Sequence, residues 1–158
     1  MDDSTPVTRA LATLHVPYRL FRHPGPVHSL EQAARERGQS PDQVVRSIVF
    51  RVAEGEYVLA LIAGDRQVSW PALRRYLGRS RVSLASQAEV LAATGYERGA
   101  VSPFGLPGPM RVLIDESVLA QAEISIGSGT RGITVILRAE DLSRALKDAE
   151  VGQFGEVR

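Results

Sequence analysis

The chain has 158 residues, a formal net charge of +1 and 44% apolar side chains. At this length a single domain buries about 68–70% of its unfolded surface, and the composition excludes a disordered chain. The absence of cysteine excludes disulfides, thiolate metal sites and a Cys nucleophile. No stretch approaches the ~20 apolar residues that cross a bilayer, and the N-terminus carries no signal-peptide pattern, so the expected compartment is the cytoplasm. Lys147 is the single lysine among nineteen basic residues; the near-neutral balance does not by itself declare a nucleic-acid partner.

In chain order, Thr5-Pro6 opens a first helix with Val7, Leu11 and Leu14 on one face. Tyr18 to His23 alternates and reads as a strand, followed by a turn at His23-Pro-Gly-Pro26. Ser29-Leu-Glu-Gln32 is a capping box for a helix that ends near Gly38. Ser40-Pro-Asp-Gln43 starts a short helical turn. Val44 to Val52 and Tyr57 to Ala63 are two strands joined at Glu54-Gly55; the second is nearly all apolar and is expected to be central and buried on both faces. Ser69 caps a helix through Leu77, stopped by Gly78. Arg81 to Leu84 is a short strand, and Ser86-Gln-Ala-Glu89 caps a helix ending at Gly95. A Gly- and Pro-rich loop, Tyr96 to Pro109, leads into a strand at Met110 to Asp115. Ala139 to Lys147 is a last helix, and the tail from Asp148 is expected to fray. Helices and strands alternate without a regular βαβ period, which predicts a single α+β domain with a mixed sheet.

Gly127-Ser-Gly-Thr-Arg-Gly132 spells G-x-G-x-x-G. A dinucleotide site needs a helix after those glycines. Here Glu123 to Ile126 and Ile133 to Leu137 are both strands rich in β-branched residues, so the glycines join a hairpin.

Arg46 sits on an otherwise apolar strand, on one face with Val44, Ile48 and Phe50; Val45, Ser47 and Val49 take the other. A cation there needs a partner or a cavity. Two readings stay open: it snorkels or pairs with a carboxylate such as Asp115, or it points into a pocket. The loop Gly95 to Gly105 is long for a compact domain, and such loops carry function. Gly99 permits close backbone approach, and exposed N–H groups there can stabilise an oxyanion; the alternative is a structural connection. His15, His23 and His28 lack metal spacing and are read as ordinary packing or surface residues. Arg74, Arg75, Arg79 and Arg81 form the densest basic patch, either a phosphate contact or a solvated helix end.

Val44-Val-Arg-Ser-Ile-Val-Phe50, Ala63-Gly-Asp-Arg-Gln-Val68, Gly95 to Gly105, Val112-Leu-Ile-Asp-Glu-Ser117 and Ile126-Gly-Ser-Gly129 follow one another in an order that resembles the YbaK/prolyl-tRNA-synthetase-associated domains. The resemblance covers roughly Thr5 to Leu146. It implies a barrel-like, mostly antiparallel α+β fold and metal-free, cofactor-free hydrolysis of a mischarged aminoacyl-tRNA carrying a small amino acid, typically on a proline tRNA. It further implies aminoacyl-tRNA, and in some cases a synthetase, as partners.

Within that resemblance the G-x-x-x-P loop falls at Gly99 to Pro103, and the characteristic lysine falls at Arg46. Arginine stays protonated and is not a general base. The implied catalytic set is Arg46, Gly99 and Ser102. The expected substrate contacts are Ile48, Phe50, Pro103, Gly127, Ser128 and Gly129, and the basic patch of Arg74, Arg75, Arg79 and Arg81 is the expected tRNA contact. Water would attack with help from the substrate's ribose hydroxyl. The rival expectations are a catalytically impaired tRNA- or synthetase-binding module and a small-molecule-binding domain.

Overall fold

A computed structural model describes residues 4–157. The order is α1 (Pro6–Thr13), β1 (Arg19–Arg22), α2 (Leu30–Arg37), a 3₁₀ turn (Pro41–Gln43), β2 (Val45–Ala53), β3 (Glu56–Ala63), β4 (Gln67–Val68), α3 (Trp70–Leu77), β5 (Ser83–Leu84), α4 (Gln87–Thr94), β6 (Arg111–Asp115), a second 3₁₀ turn (Glu116–Ala120), β7 (Glu123–Gly127), β8 (Ile133–Arg138), α5 (Ala139–Ala145), β9 (Glu150–Gly152) and β10 (Gly155–Glu156). The helix ends follow local chemistry. The Thr5, Ser29, Ser69 and Ser86 hydroxyls each accept a hydrogen bond from a first-turn N–H. Gly38, Gly78 and Gly95 stop their helices in the left-handed conformation.

The larger sheet has the order β5-β2-β3-β6-β9. β2 and β3 form an antiparallel hairpin, whereas β3–β6 and β6–β9 are parallel. A second sheet, β1-β8-β7, is antiparallel, and β10 pairs with β4. One parallel bridge, Val44 to Ser125, links the two larger sheets. The sheets therefore do not close into a barrel, which corrects that part of the expectation. β5 covers β2 over two residues only, Phe50↔Leu84 and Arg51↔Ser83, and the rest of that side is left for a single bridge.

β3 is buried on both faces because its side chains alternate between two cores. Leu59, Leu61 and Ala63 enter the larger one, with Val7, Leu11, Val45, Val49, Ile124 and Ile126. Val58 and Ala60 enter the smaller one, with Phe50, Leu73, Leu113 and Phe154. Truncating any of these leucines to alanine is expected to cost about 2–5 kcal/mol. Leu14 departs from expectation: the helix ends at Thr13, and Leu14 is 48% exposed.

The tail is also different from expectation. β9 runs parallel to β6, from Leu113↔Glu150 to Asp115↔Gly152, and Phe154 is fully buried, its ring edge-on to Tyr76 at 4.9 Å. The buried Asp115 carboxylate fastens it. Its Oδ1 accepts from the Phe154 and Gly155 N–H groups at 2.7 and 2.8 Å, and its Oδ2 accepts from the Ser117 N–H at 3.1 Å and from the Ser117 hydroxyl. Among the described residues no helix is long and apolar enough to cross a membrane.

Candidate active site

A cavity of about 830 Å³ opens where the start of β2 meets the β7–β8 hairpin. That volume lies within the range of small-molecule and cofactor sites. Its walls come from five places: His23 to Val27 after β1, Arg37 at the end of α2, Val44 to Ser47 on β2, Arg98 to Val101 in the long loop, and Ile126-Gly127 with Arg131 to Thr134.

Two glycine loops meet at this wall. A Cβ on Gly127 would lie 2.1 Å from the Val101 carbonyl oxygen, so only glycine lets the end of β7 press against the long loop. The Gly129 N–H donates to the Ala100 carbonyl at 2.9 Å. The G-x-G-x-x-G stretch is thus a hairpin connection, with Gly127 opposite Thr134. Gly99 has φ +95°, and a Cβ there would meet open space. The stretch that follows Gly99 is closed: Ala100 to Phe104 are buried, and the Tyr96 hydroxyl donates to the Phe104 and Gly105 carbonyls at 2.7 and 3.0 Å.

Of the site residues expected from sequence, Arg46, Gly99 and Gly127 line the cavity and the others do not. Ile48 and Phe50 face the smaller core, where Phe50 meets Trp70 edge-on at 5.4 Å. Ser102 is fully buried, and its hydroxyl accepts from the Phe104 N–H at 3.1 Å. Pro103 borders a separate, smaller depression beside Leu106 and Met110. The Ser128 hydroxyl donates within its own hairpin, 2.7 Å from the Ile133 carbonyl. Gly129 packs on the Tyr96 ring. Arg74 and Arg75 end α3, and Arg79 pairs with Glu56 at 3.0 Å.

Arg46 does not pair with Asp115. Its Nε donates to the Gly64 carbonyl at 2.8 Å, and an Nη donates to the Arg66 carbonyl. The guanidinium therefore also braces the turn after β3.

Sequence reasoning missed His23, Arg37 and Ser47. The His23 side chain is 2% exposed and sits between two residues of α2. The Arg37 Nε donates to His23 Nε2 at 3.1 Å. That nitrogen must accept, so the ring proton is on Nδ1 and is donated to Glu36 Oε1, 2.6 Å away. The Gln32 amide first, and this ring second, hold the Glu36 carboxyl below its usual range. Arg37 also donates from Nη1 to the Ser125 hydroxyl at 2.9 Å. Burial lowers its pKa, and the Glu36 charge partly restores it. The missed signal was the i, i+1 pair Glu36-Arg37 at the end of a helix that packs back on His23. Ser47 lines the same wall, and among the described residues its buried hydroxyl oxygen has no hydrogen-bond partner.

The comparisons agree with this architecture. An aminoacyl-tRNA editing domain model matches residues 24–145. The chain is 34% identical over 156 residues to a proline–tRNA ligase of Nitratidesulfovibrio vulgaris, aligning over 98% of itself but 25% of the ligase. It is 26% identical to the prolyl-tRNA editing protein ProX of Acetoanaerobium sticklandii, over 93% of this chain and 92% of that one. A crystal structure assigned as a candidate trans-editing enzyme for prolyl tRNA synthetase superposes with a TM-score of 0.87 at 27% identity, covering 99% of both chains. The fold is that of an editing-type α+β domain with its larger described cavity between β2 and the β7–β8 hairpin. The chain belongs to the aminoacyl-tRNA editing domain family. It spans about a quarter of the length of the proline–tRNA ligases it matches.

Proposed function

We propose that the chain hydrolyses the ester of a mischarged aminoacyl-tRNA, removing a small amino acid from a proline tRNA, and that it does so in trans in the cytoplasm. The observation that carries this reading is the meeting of two glycine loops at one cavity wall. Gly99, at positive φ beside open space, leaves main-chain groups of the long loop accessible to an ester. Backbone N–H groups there polarise the carbonyl as the oxyanion develops. Water attacks with the substrate's own ribose hydroxyl assisting, and the enclosed wall holds the ester in position. Ser47 offers the ligand a hydroxyl that has no partner among the described residues. The likeness to ProX over nearly its whole length supports action on a prolyl tRNA. Exposed arginines at 75, 79 and 81, with Arg74, extend the contact to the tRNA body, so affinity should fall steeply with salt.

A second reading, a binding module with little turnover, draws on Arg46. At the position where the family has lysine, this guanidinium is engaged by two carbonyls. Purified protein assayed on a panel of mischarged tRNAs separates the two. Release of one small amino acid at a rate proportional to enzyme supports hydrolysis, and tight binding without release supports the module. Arg46→Lys should preserve or raise turnover; complete loss would show that the arginine fork itself is required. Gly99→Val should lower the rate about 10²–10³-fold if the loop donates to the oxyanion. Near-wild-type turnover in that variant would move the chemistry away from this wall.

A further inference from the structure

Arg37 carries a charge that nothing beside it neutralises directly. Among the described residues its hydrogen-bond partners are the His23 ring and the Ser125 hydroxyl, both acting as uncharged acceptors. A guanidinium has five N–H donors, so these two bonds leave three for a ligand. A cation withdrawn from water needs an anion against it. The nearest such candidate, Glu36, lies on the far side of the imidazole and is itself held by Gln32 and His23. Arg37 lines the cavity together with Arg46, Arg98 and Arg131, and among the described residues no Asp or Glu lines it. Glu97, which pairs with Arg131, is 67% exposed outside that lining.

The fork is also fixed in place. Nε is tied to His23 and Nη1 to Ser125, and His23 is in turn locked by Glu36. A surface arginine loses rotamer entropy when it captures a ligand; this one is already ordered. Arg46 has its Nε and an Nη on the Gly64 and Arg66 carbonyls, so of the two inner arginines Arg37 faces the cavity with the larger unspent donor set.

We infer that Arg37 is the anion-binding residue of the cavity, that the anion is a phosphate of the substrate's terminal nucleotides, and that His23 and Glu36 are positioning residues that aim it. Four lining arginines, Arg37, Arg46, Arg98 and Arg131, exceed what a single ester carbonyl needs. A planar fork matches two oxygens of one phosphate, and a full negative charge offsets the desolvated cation. The inference rests on the nucleic-acid ester reading above and adds to it which group of the substrate is held, and by what.

The test uses calorimetry with the trinucleotide CCA and an analogue whose last linkage is a neutral methylphosphonate. The wild-type protein should prefer the charged form by about tenfold or more, as for a charge-assisted bidentate contact. Arg37→Gln should bind the two forms alike, at the weaker level. Glu36→Ala should weaken only the charged form, by about three- to tenfold, a split that general loss of structure would not produce. A wild-type protein that does not discriminate, or an Arg37→Gln protein that still does, overturns the inference. Because glutamine could disturb the His23 contacts, a wild-type crystal soaked with CCA gives a direct reading. A phosphate oxygen within about 3.2 Å of the Arg37 guanidinium supports the assignment, and one beyond about 4 Å refutes it. Discrimination in a protein that hydrolyses no charged tRNA sinks the hydrolase reading and leaves this one standing; turnover without discrimination does the reverse.

Discussion

Two withdrawn charges, Asp115 and Arg37, show how the same chain treats a structural ion and one aimed at a cavity. Asp115 is 2% exposed and accepts from the Phe154, Gly155 and Ser117 N–H groups and from the Ser117 hydroxyl. Its acceptor capacity is spent inside the protein, and the result is a fastened strand. Arg37 meets two uncharged acceptors and keeps its remaining N–H groups beside 830 Å³ of open volume. A withdrawn charge that is locally saturated belongs to the fold. One whose partners are neutral and whose free side faces a cavity is a candidate for binding a ligand, as proposed above for Arg37.

The comparison breaks most easily at Asp115. Asp115→Ala leaves three backbone N–H groups without their acceptor and should cost about 3 kcal/mol or more, read as a lowered urea midpoint. A change below about 1 kcal/mol would show that the carboxylate does not hold the C-terminal strands. Next in size is Gly127→Ala, which sets the new methyl 2.1 Å from the Val101 carbonyl oxygen. Backbone must move on one side, at about 1–3 kcal/mol, and turnover should fall with it. Retained activity with unchanged stability would mean that the two loops are not pressed together in solution. Arg37→Gln sharpens the contrast from the other side: stability should change by about 1 kcal/mol or less, since no direct ion pair is lost. A thermal melt that drops as far as for Asp115→Ala would place Arg37 with the structural ions.

The smallest effect concerns Glu150, whose carboxyl is held at about 2 by hydrogen bonds from Arg111 and then Tyr76. Its folded value lies below its ordinary 4.5. Its contribution is therefore present above that value and lost as pH falls from there toward about 2. The pair is partly solvated, so the amount is about 1 kcal/mol or less. Glu150→Gln should flatten that part of the acid limb of stability against pH, and an unchanged slope would assign acid sensitivity elsewhere.

Much of this fold was legible in local signals. The caps at Ser29, Ser69 and Ser86, the stops at Gly38, Gly78 and Gly95, and the all-apolar run of β3 each follow from chemistry within a few residues. The hairpin at Gly127 to Gly132 was read from the strand that follows it. What failed was long-range. Phe154 is one aromatic in a polar tail, and its place in the smaller core depends on Asp115, far behind it in the chain. The cavity divided in the same way. Gly99, Gly127 and Arg46 could be found because loop chemistry and a cation on an apolar strand are visible in sequence. His23 and Arg37 could not, since their roles exist only after α2 folds back to set Glu36 and Arg37 against the ring.

The clasp on Phe154 also bears on the order in which the molecule can assemble. A chain emerging from its N-terminus forms the β2–β3 hairpin early, because its two strands are adjacent in sequence. The smaller core beside that hairpin stays uncovered until β6 has been added in parallel and Phe154 has arrived. In that interval Phe50, Val58 and Ala60 present an apolar strip beside an unpaired β3 edge, the kind of surface that recruits chaperones or other nascent chains. The last ten or so residues thus govern the yield of folded protein, even though none of the described ones among them lines the cavity.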